Sequence, residues 1–330
     1  MPAYDPSYGL SDFVAANVSQ FAEALNAGSD SHHNTGASNF ASNPIYLVAR
    51  DARDSLTPNE TQRNTLIVAA CYIVAIAILW HVPYLSFIIY PFKLLTVGFH
   101  EMSHALVGVL TCAHIHSIEL DPDEGGATRM SGGIPWLTLP AGYLGSSFIG
   151  ACLITCGFNT NASKIATLCL AAFFLFTLWW ARRNWITWVL ILGMSGLIVL
   201  FWFVADSVAL RYLVLFIGVM SCMYVLWDVI DDTIARKANG SDAESFAKIC
   251  GCCPSQVWGV IWLIQAFIFF AAGIIVGLVA FKQSAAQQAQ DTSHFLPVPG
   301  SDHNAASTLV FSSSWSWVSA LVSMVVVFML

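Results

Sequence analysis

Seven apolar runs, at residues 64–82, 85–112, 134–157, 164–181, 185–205, 210–228 and 256–281, with an eighth at 309–330, leave this chain few choices of fold. A helix rises about 1.5 Å per residue, so about 20 apolar residues cross a hydrocarbon core of about 30 Å. Inside that core only a helix or a closed barrel satisfies its own backbone hydrogen bonds, and runs of this length are too long for barrel strands. The expected fold is therefore an all-α polytopic membrane protein of about 7–8 transmembrane helices.

Composition agrees. The 330 residues are 57% hydrophobic and only 10% charged, with a mean hydropathy of +0.67, which excludes an ordinary soluble domain. A net charge of -7 argues against a nucleic-acid partner, which would need a basic face. The nine cysteines are odd in number and lie mostly inside the apolar runs, so they read as small buried residues rather than a disulfide framework.

Four segments follow from this pattern. Residues 1–63 form a polar, Ser- and Asn-rich arm expected to be disordered. Residues 64–281 hold the membrane domain, 282–308 a polar linker, and 309–330 either a last transmembrane helix or a processed hydrophobic tail. The arm has no basic n-region followed by an apolar h-region, so no cleavable signal peptide is expected and the first helix should direct insertion. With a cytoplasmic N-terminus, Arg50, Arg53, Arg63, Arg129, Arg182, Arg183, Arg236, Lys237 and Lys248 stay inside, while Lys164, Arg211 and Lys282 fall outside. The same orientation makes the sequon Asn161-Ala162-Ser163 lumenal. A multi-pass protein of an endomembrane is the expectation.

The chemistry is concentrated in the second run, in His100-Glu101-Met102-Ser103-His104. Residues four apart share a helix face, so His100 and His104 can offer two imidazoles to one ion, with Glu101 beside them. Imidazoles suit a borderline-soft divalent ion such as Zn2+, and an adjacent carboxylate can take a proton from water. Ionisable groups in an apolar span cost a few kcal/mol each and mark function. The alternative is a polar helix–helix contact between Glu101 and a histidine.

A third ligand must come from another segment. Asp228, directly after the apolar sixth run, is the first choice. Asp231 and Asp232, one turn further, are placed to orient a histidine or to substitute as ligand. Asp206 is a runner-up on the opposite side of the membrane. Between the second and third runs, residues 115–120 and 127–130 alternate as two short strands about an Asp-Pro-Asp-Glu-Gly-Gly turn. Such a hairpin beside the His100–His104 motif would pair with an extended polypeptide by strand addition, with Ile118, Leu120, Gly126 and Thr128 as the expected substrate contacts. His114 and His116 rank below Asp228 as ligands. The cysteines of Cys250-Gly251-Cys252-Cys253 are expected to be unspecialised, with palmitoylation or metal binding as alternatives.

Taken together, the His100–His104 motif, Gly125-Gly126-Ala127-Thr128, the segment Pro140 to Ser147, and the region of Trp227-Asp228, Asp231-Asp232 and Ser241-Asp242-Ala243 resemble the peptidase M50B-like family, within the site-2-protease class. The resemblance spans about residues 64 to 280. It implies a polytopic zinc endopeptidase that cuts membrane-embedded protein substrates near the cytosolic face, with His100 and His104 as metal ligands, Glu101 as the catalytic base and Asp228 as third ligand. The site-2-protease signature of Asn-Pro followed by Leu-Asp-Gly is absent, as is a PDZ-like insertion. Two other functions compete: a catalytically inactive scaffold that binds membrane clients, and an ion-coupled transporter, for which the internal repeats expected of many transporters are missing.

Overall fold

A computed structural model describes residues 54–82, 84–121, 125–234 and 241–295; the side chains of 229–234 and of 293–294 lie outside the described set. Each of the seven apolar runs from 64 to 281 is a helix: α1 Glu60–His81, α2 Ser86–Leu110, α3 Pro135–Cys156, α4 Thr160–Ala181, α5 Trp185–Phe203, α6 Val208–Ile234 and, after the short α7 Asp242–Cys250, α8 Ser255–Ala280. Strands β1 His114–Leu120 and β2 Gly126–Ser131 pair antiparallel between α2 and α3, as the alternation predicts. The 309–330 run, and most of the polar arm before α1, lie outside the described residues.

Local chemistry explains the boundaries. Asn59 caps α1 and forms a reciprocal box with Gln62. Asn159 and Asn184 cap α4 and α5 by accepting from the third residue of each helix. The apolar stretch Trp185–Asp228 is continuous in sequence but broken at Val204–Ser207, where Ala205, Asp206 and Ser207 adopt φ of 49°, 52° and 69°. Three successive left-handed residues turn the chain sharply and separate α5 from α6.

Among the described residues, α1, α3, α4, the Trp185–Asp228 stretch and α8 are long and apolar enough to cross a membrane. Many large apolar side chains on them are exposed, among them Ile67, Leu175, Phe176, Leu192 and Ile268, the surface expected of helices solvated by lipid. Helix α2 is different. Every residue from Lys93 to Ala105 is buried, so its ionisable groups are surrounded by protein rather than lipid. Its neighbours are α3, α6 and the hairpin.

The segment expected as a linker contains a further helix, α9 Ala285–His294. Its Gln288 is buried, accepting from Thr160 N–H (3.3 Å) and Arg211 Nη1 (3.1 Å) and donating to the Phe158 carbonyl (3.1 Å). Gln288, Thr160 and Arg211, residues that composition alone assigns to solvent, thus partner one another inside the protein, and this offsets the low apolar content of α9 that suggested an unstructured stretch.

Candidate metal centre

On α2 the i, i+4 spacing places the ring nitrogens of His100 and His104 side by side, with Nε2 to Nε2 3.0 Å. The third member of the group is Asp242. Its Oδ2 lies 2.9 Å from His100 Nε2 and 2.8 Å from His104 Nε2. These are the residues among those described whose ligand atoms gather closely enough to hold a metal ion.

The short helix α7 delivers Asp242. Ser241 caps it by accepting from Glu244 N–H (3.3 Å), and an acidic first turn suits a helix N-terminus. Ala243 and Phe246 bury the inner face of α7 against α3 and α8, with Phe246 edge-on to Trp258 (4.6 Å) and to Trp136 (5.3 Å). Gly251, at φ 65°, ends the helix. The carboxylate is thereby folded back over α2 from outside the apolar spans. Burial alone would raise its pKa, but the charge and hydrogen bonds of His104 and His100 outweigh that and hold it well below the ordinary carboxylate range. At neutral pH it is ionised, as a metal ligand must be.

The hydrogen bonds of His104 fix which of its nitrogens faces the cluster. His104 Nδ1 lies 2.6 Å from the Thr138 carbonyl and must donate to it, so in a neutral ring Nε2 is a lone pair. That lone pair faces a carboxylate oxygen and a second imidazole nitrogen. Three acceptors this close repel. That repulsion is relieved either by a proton on Nε2, which makes an ion pair with Asp242, or by a cation among the three atoms. The donor set, two imidazoles and one carboxylate, fits a borderline-soft divalent ion with positions left over for water or substrate.

The walls are shaped to the same point. A Cβ on Gly142 of α3 would collide with Nε2 of both histidines, and one on Gly145 with Ser103 Oγ. A Cβ on Gly126 would stand 2.8 Å from Glu101 Oε1. Glycine is required at these three positions by close approach. Thr128 of β2 donates to Glu101 Oε2 at 2.7 Å, which fixes that carboxylate and ties the hairpin to α2.

A family model described as peptidase M50B-like matches residues 69–273. The chain belongs to the peptidase M50B-like family. The M50 family comprises zinc metalloproteases, and its M50B-like members are membrane peptidases of the site-2-protease kind. No curated protein and no solved structure matches the chain.

Several residues of this M50B-like chain lie elsewhere than the sequence suggests. Asp228, the expected third ligand, sits on α6 and accepts hydrogen bonds from the hydroxyls of Tyr143 and Tyr224; the position beside the histidines belongs to Asp242. Ending an apolar run favours Asp228 in the sequence, a criterion that overlooks a carboxylate brought in by an amphipathic segment. The signal for Asp242 was its context, Ser241-Asp242-Ala243-Glu244, a helix start. Asp231 and Asp232 are on the last turn of α6, with side chains outside the described set. Asp206 lies in the turn between α5 and α6, and His116 bonds Ser131 Oγ (3.0 Å) rather than joining the site.

In the hairpin, Gly126 and Thr128 adjoin Glu101. Ile118 and Leu120, expected as substrate contacts, are 1% and 3% exposed and face the core. Alternation explains the difference, since β1 carries its apolar face inward. The sequon is likewise unsuited to modification here: Asn161 is in the first turn of α4 and Ser163 is 0% exposed.

Proposed function

We propose that this chain is an intramembrane zinc endopeptidase in which His100, His104 and Asp242 hold the ion and Glu101 is the general base. The observation that carries the reading is the convergence of His100 Nε2, His104 Nε2 and Asp242 Oδ2 within 2.8–3.0 Å of one another, one residue along the helix from a carboxylate anchored by Thr128. When bound, zinc supplies Lewis acidity toward a carbonyl and toward water.

The protein's own groups do the rest. Thr128 occupies Glu101 Oε2, leaving Oε1 to take a proton from the attacking water and to pass it to the departing amine. Burial of α2 from residue 93 to 105 keeps bulk water and lipid from the acid–base pair. Strand β2 is largely exposed along its length and is joined to β1 on one edge. Its other edge can add an extended segment of substrate beside Glu101. A membrane-embedded protein must unwind locally to offer such a segment, so hydrolysis takes place at a helix end rather than mid-span.

The basic residues Arg129, Arg182, Arg183 and Lys248 belong to segments around the site and favour the cytosolic face for it, with the N-terminus on the same side; the membrane we propose is an endomembrane. The test is cleavage of a detergent- or vesicle-embedded single-span reporter by the purified full chain, with Glu101→Gln as control. Zinc-dependent cutting that the variant lacks supports the reading; cutting that survives in Glu101→Gln, or no cutting of any of a panel of reporters by a zinc-loaded chain, counts against it.

A further inference from the structure

Helix α6 carries a half-buried carboxylate that the proposed chemistry does not use. The hydroxyls of two tyrosines close on Asp228: Tyr143 of α3 by a short hydrogen bond to Oδ2, and Tyr224, one turn back on α6, at 3.2 Å to Oδ1. A carboxylate withdrawn from water onto two phenol donors costs free energy that a functional role would offset. Both rings flank one ligand. Tyr143 stands edge-on to His100, with centroids 4.6 Å apart at 81°, and Tyr224 is edge-on at 6.5 Å and 69°.

The two histidines need this differently. His104 is aimed by its Nδ1 donating to the Thr138 carbonyl, the usual way a protein fixes a metal-binding imidazole. His100 has no such tether among the described residues, where its buried Nδ1 finds no hydrogen-bond partner. Its ring angle is set by packing, and Tyr143 is the wall. Tyr143 in turn is clamped, stacked on Trp262 at 5.0 Å and 27° on one side and pinned through its hydroxyl by Asp228.

We propose that Asp228 and Tyr143 form a positioning pair for His100: Asp228 fixes the tyrosine hydroxyl, and the tyrosine ring holds the imidazole with Nε2 toward Asp242. The pair takes the place of the carbonyl that tethers His104. This rests on the metal reading above, and it assigns to Asp228 a role through another residue instead of ligation. Because Asp228→Asn keeps the shape and one acceptor, and Tyr143→Phe keeps the ring, both variants leave the wall standing but loosen it.

The test uses the detergent-purified full chain loaded with Co2+, with zinc affinity read by chelator competition and ligand geometry by the visible cobalt bands. Asp228→Asn and Tyr143→Phe should each bind one ion per chain, with affinity reduced about 10- to 100-fold, the range expected when an outer hydrogen bond of a ligand is lost. Their cobalt bands should shift, and the double variant should match the weaker single one, since the two act through one link. Affinity and bands equal to wild type in both variants overturn the proposal. So does loss of all metal from Asp228→Asn with retention in Asp242→Asn, which would make Asp228 the ligand. A wild type that takes up neither ion overturns the metal reading itself, and this proposal with it.

Discussion

Two regions of this molecule bury polar groups among apolar helices, and they do it in opposite ways. Where α1, α4, α6 and α9 begin and α8 ends, Gln288 spends its amide oxygen on Thr160 and Arg211 and its nitrogen on Phe158. There Gln62 closes the end of α8 by donating to the carbonyls of Leu278 (2.8 Å) and Phe281 (2.7 Å). Donors meet acceptors. Around α2, by contrast, two imidazole nitrogens and a carboxylate oxygen face one another within 3.0 Å, with His100 Nδ1 left over. Acceptors crowd together there, and a shared proton or an added cation must reconcile them. Buried polarity alone does not mark a site; the gathering of two imidazoles and a carboxylate on one point does.

Perturbing each region should separate the two roles. Gly142→Ala forces a methyl against both ligand nitrogens and should abolish stoichiometric metal and all cleavage, which metal analysis beside a reporter assay would detect. Metal retained at wild-type level would show that the two helices have room to spare. Glu101→Gln should keep its metal while kcat falls about 10²- to 10⁴-fold, the typical share of a general base. Gln288→Leu strips hydrogen bonds from Thr160, Arg211 and Phe158. It should destabilise the fold by about 1–3 kcal/mol in thermal unfolding and leave zinc affinity unchanged; a parallel loss of zinc would mean the two regions are coupled. Smallest is Thr128→Val, which frees Glu101 Oε2 and should lower kcat about tenfold, corresponding to one hydrogen bond to a charged group.

Much of the architecture is visible in the chain because membrane helices are specified by length and apolarity, and the runs from 64 to 281 show both. His100, Glu101 and His104 are equally visible, since a helix converts an i, i+4 spacing directly into shared geometry. What fails is distance along the chain. Asp242 lies 138 residues from His104, and nothing local says that α7 folds back over α2. Asp228 has the better local credentials and a different partner. Helix α9 is missed for a related reason, because its burial rests on Gln288 and Thr292, residues whose type suggests solvent. Ile118 and Leu120 show that alternation finds a strand without saying which face the substrate meets.

The most direct test of the account is the zinc content of the purified full chain, in moles per chain by mass spectrometry, for wild type, His100→Ala, Asp242→Ala and Asp228→Ala prepared without chelators. The account predicts about one zinc in wild type, loss in the His100 and Asp242 variants, and retention with weakened affinity in the Asp228 variant. A metal-free wild type, or zinc that survives replacement of Asp242 but not of Asp228, would contradict it.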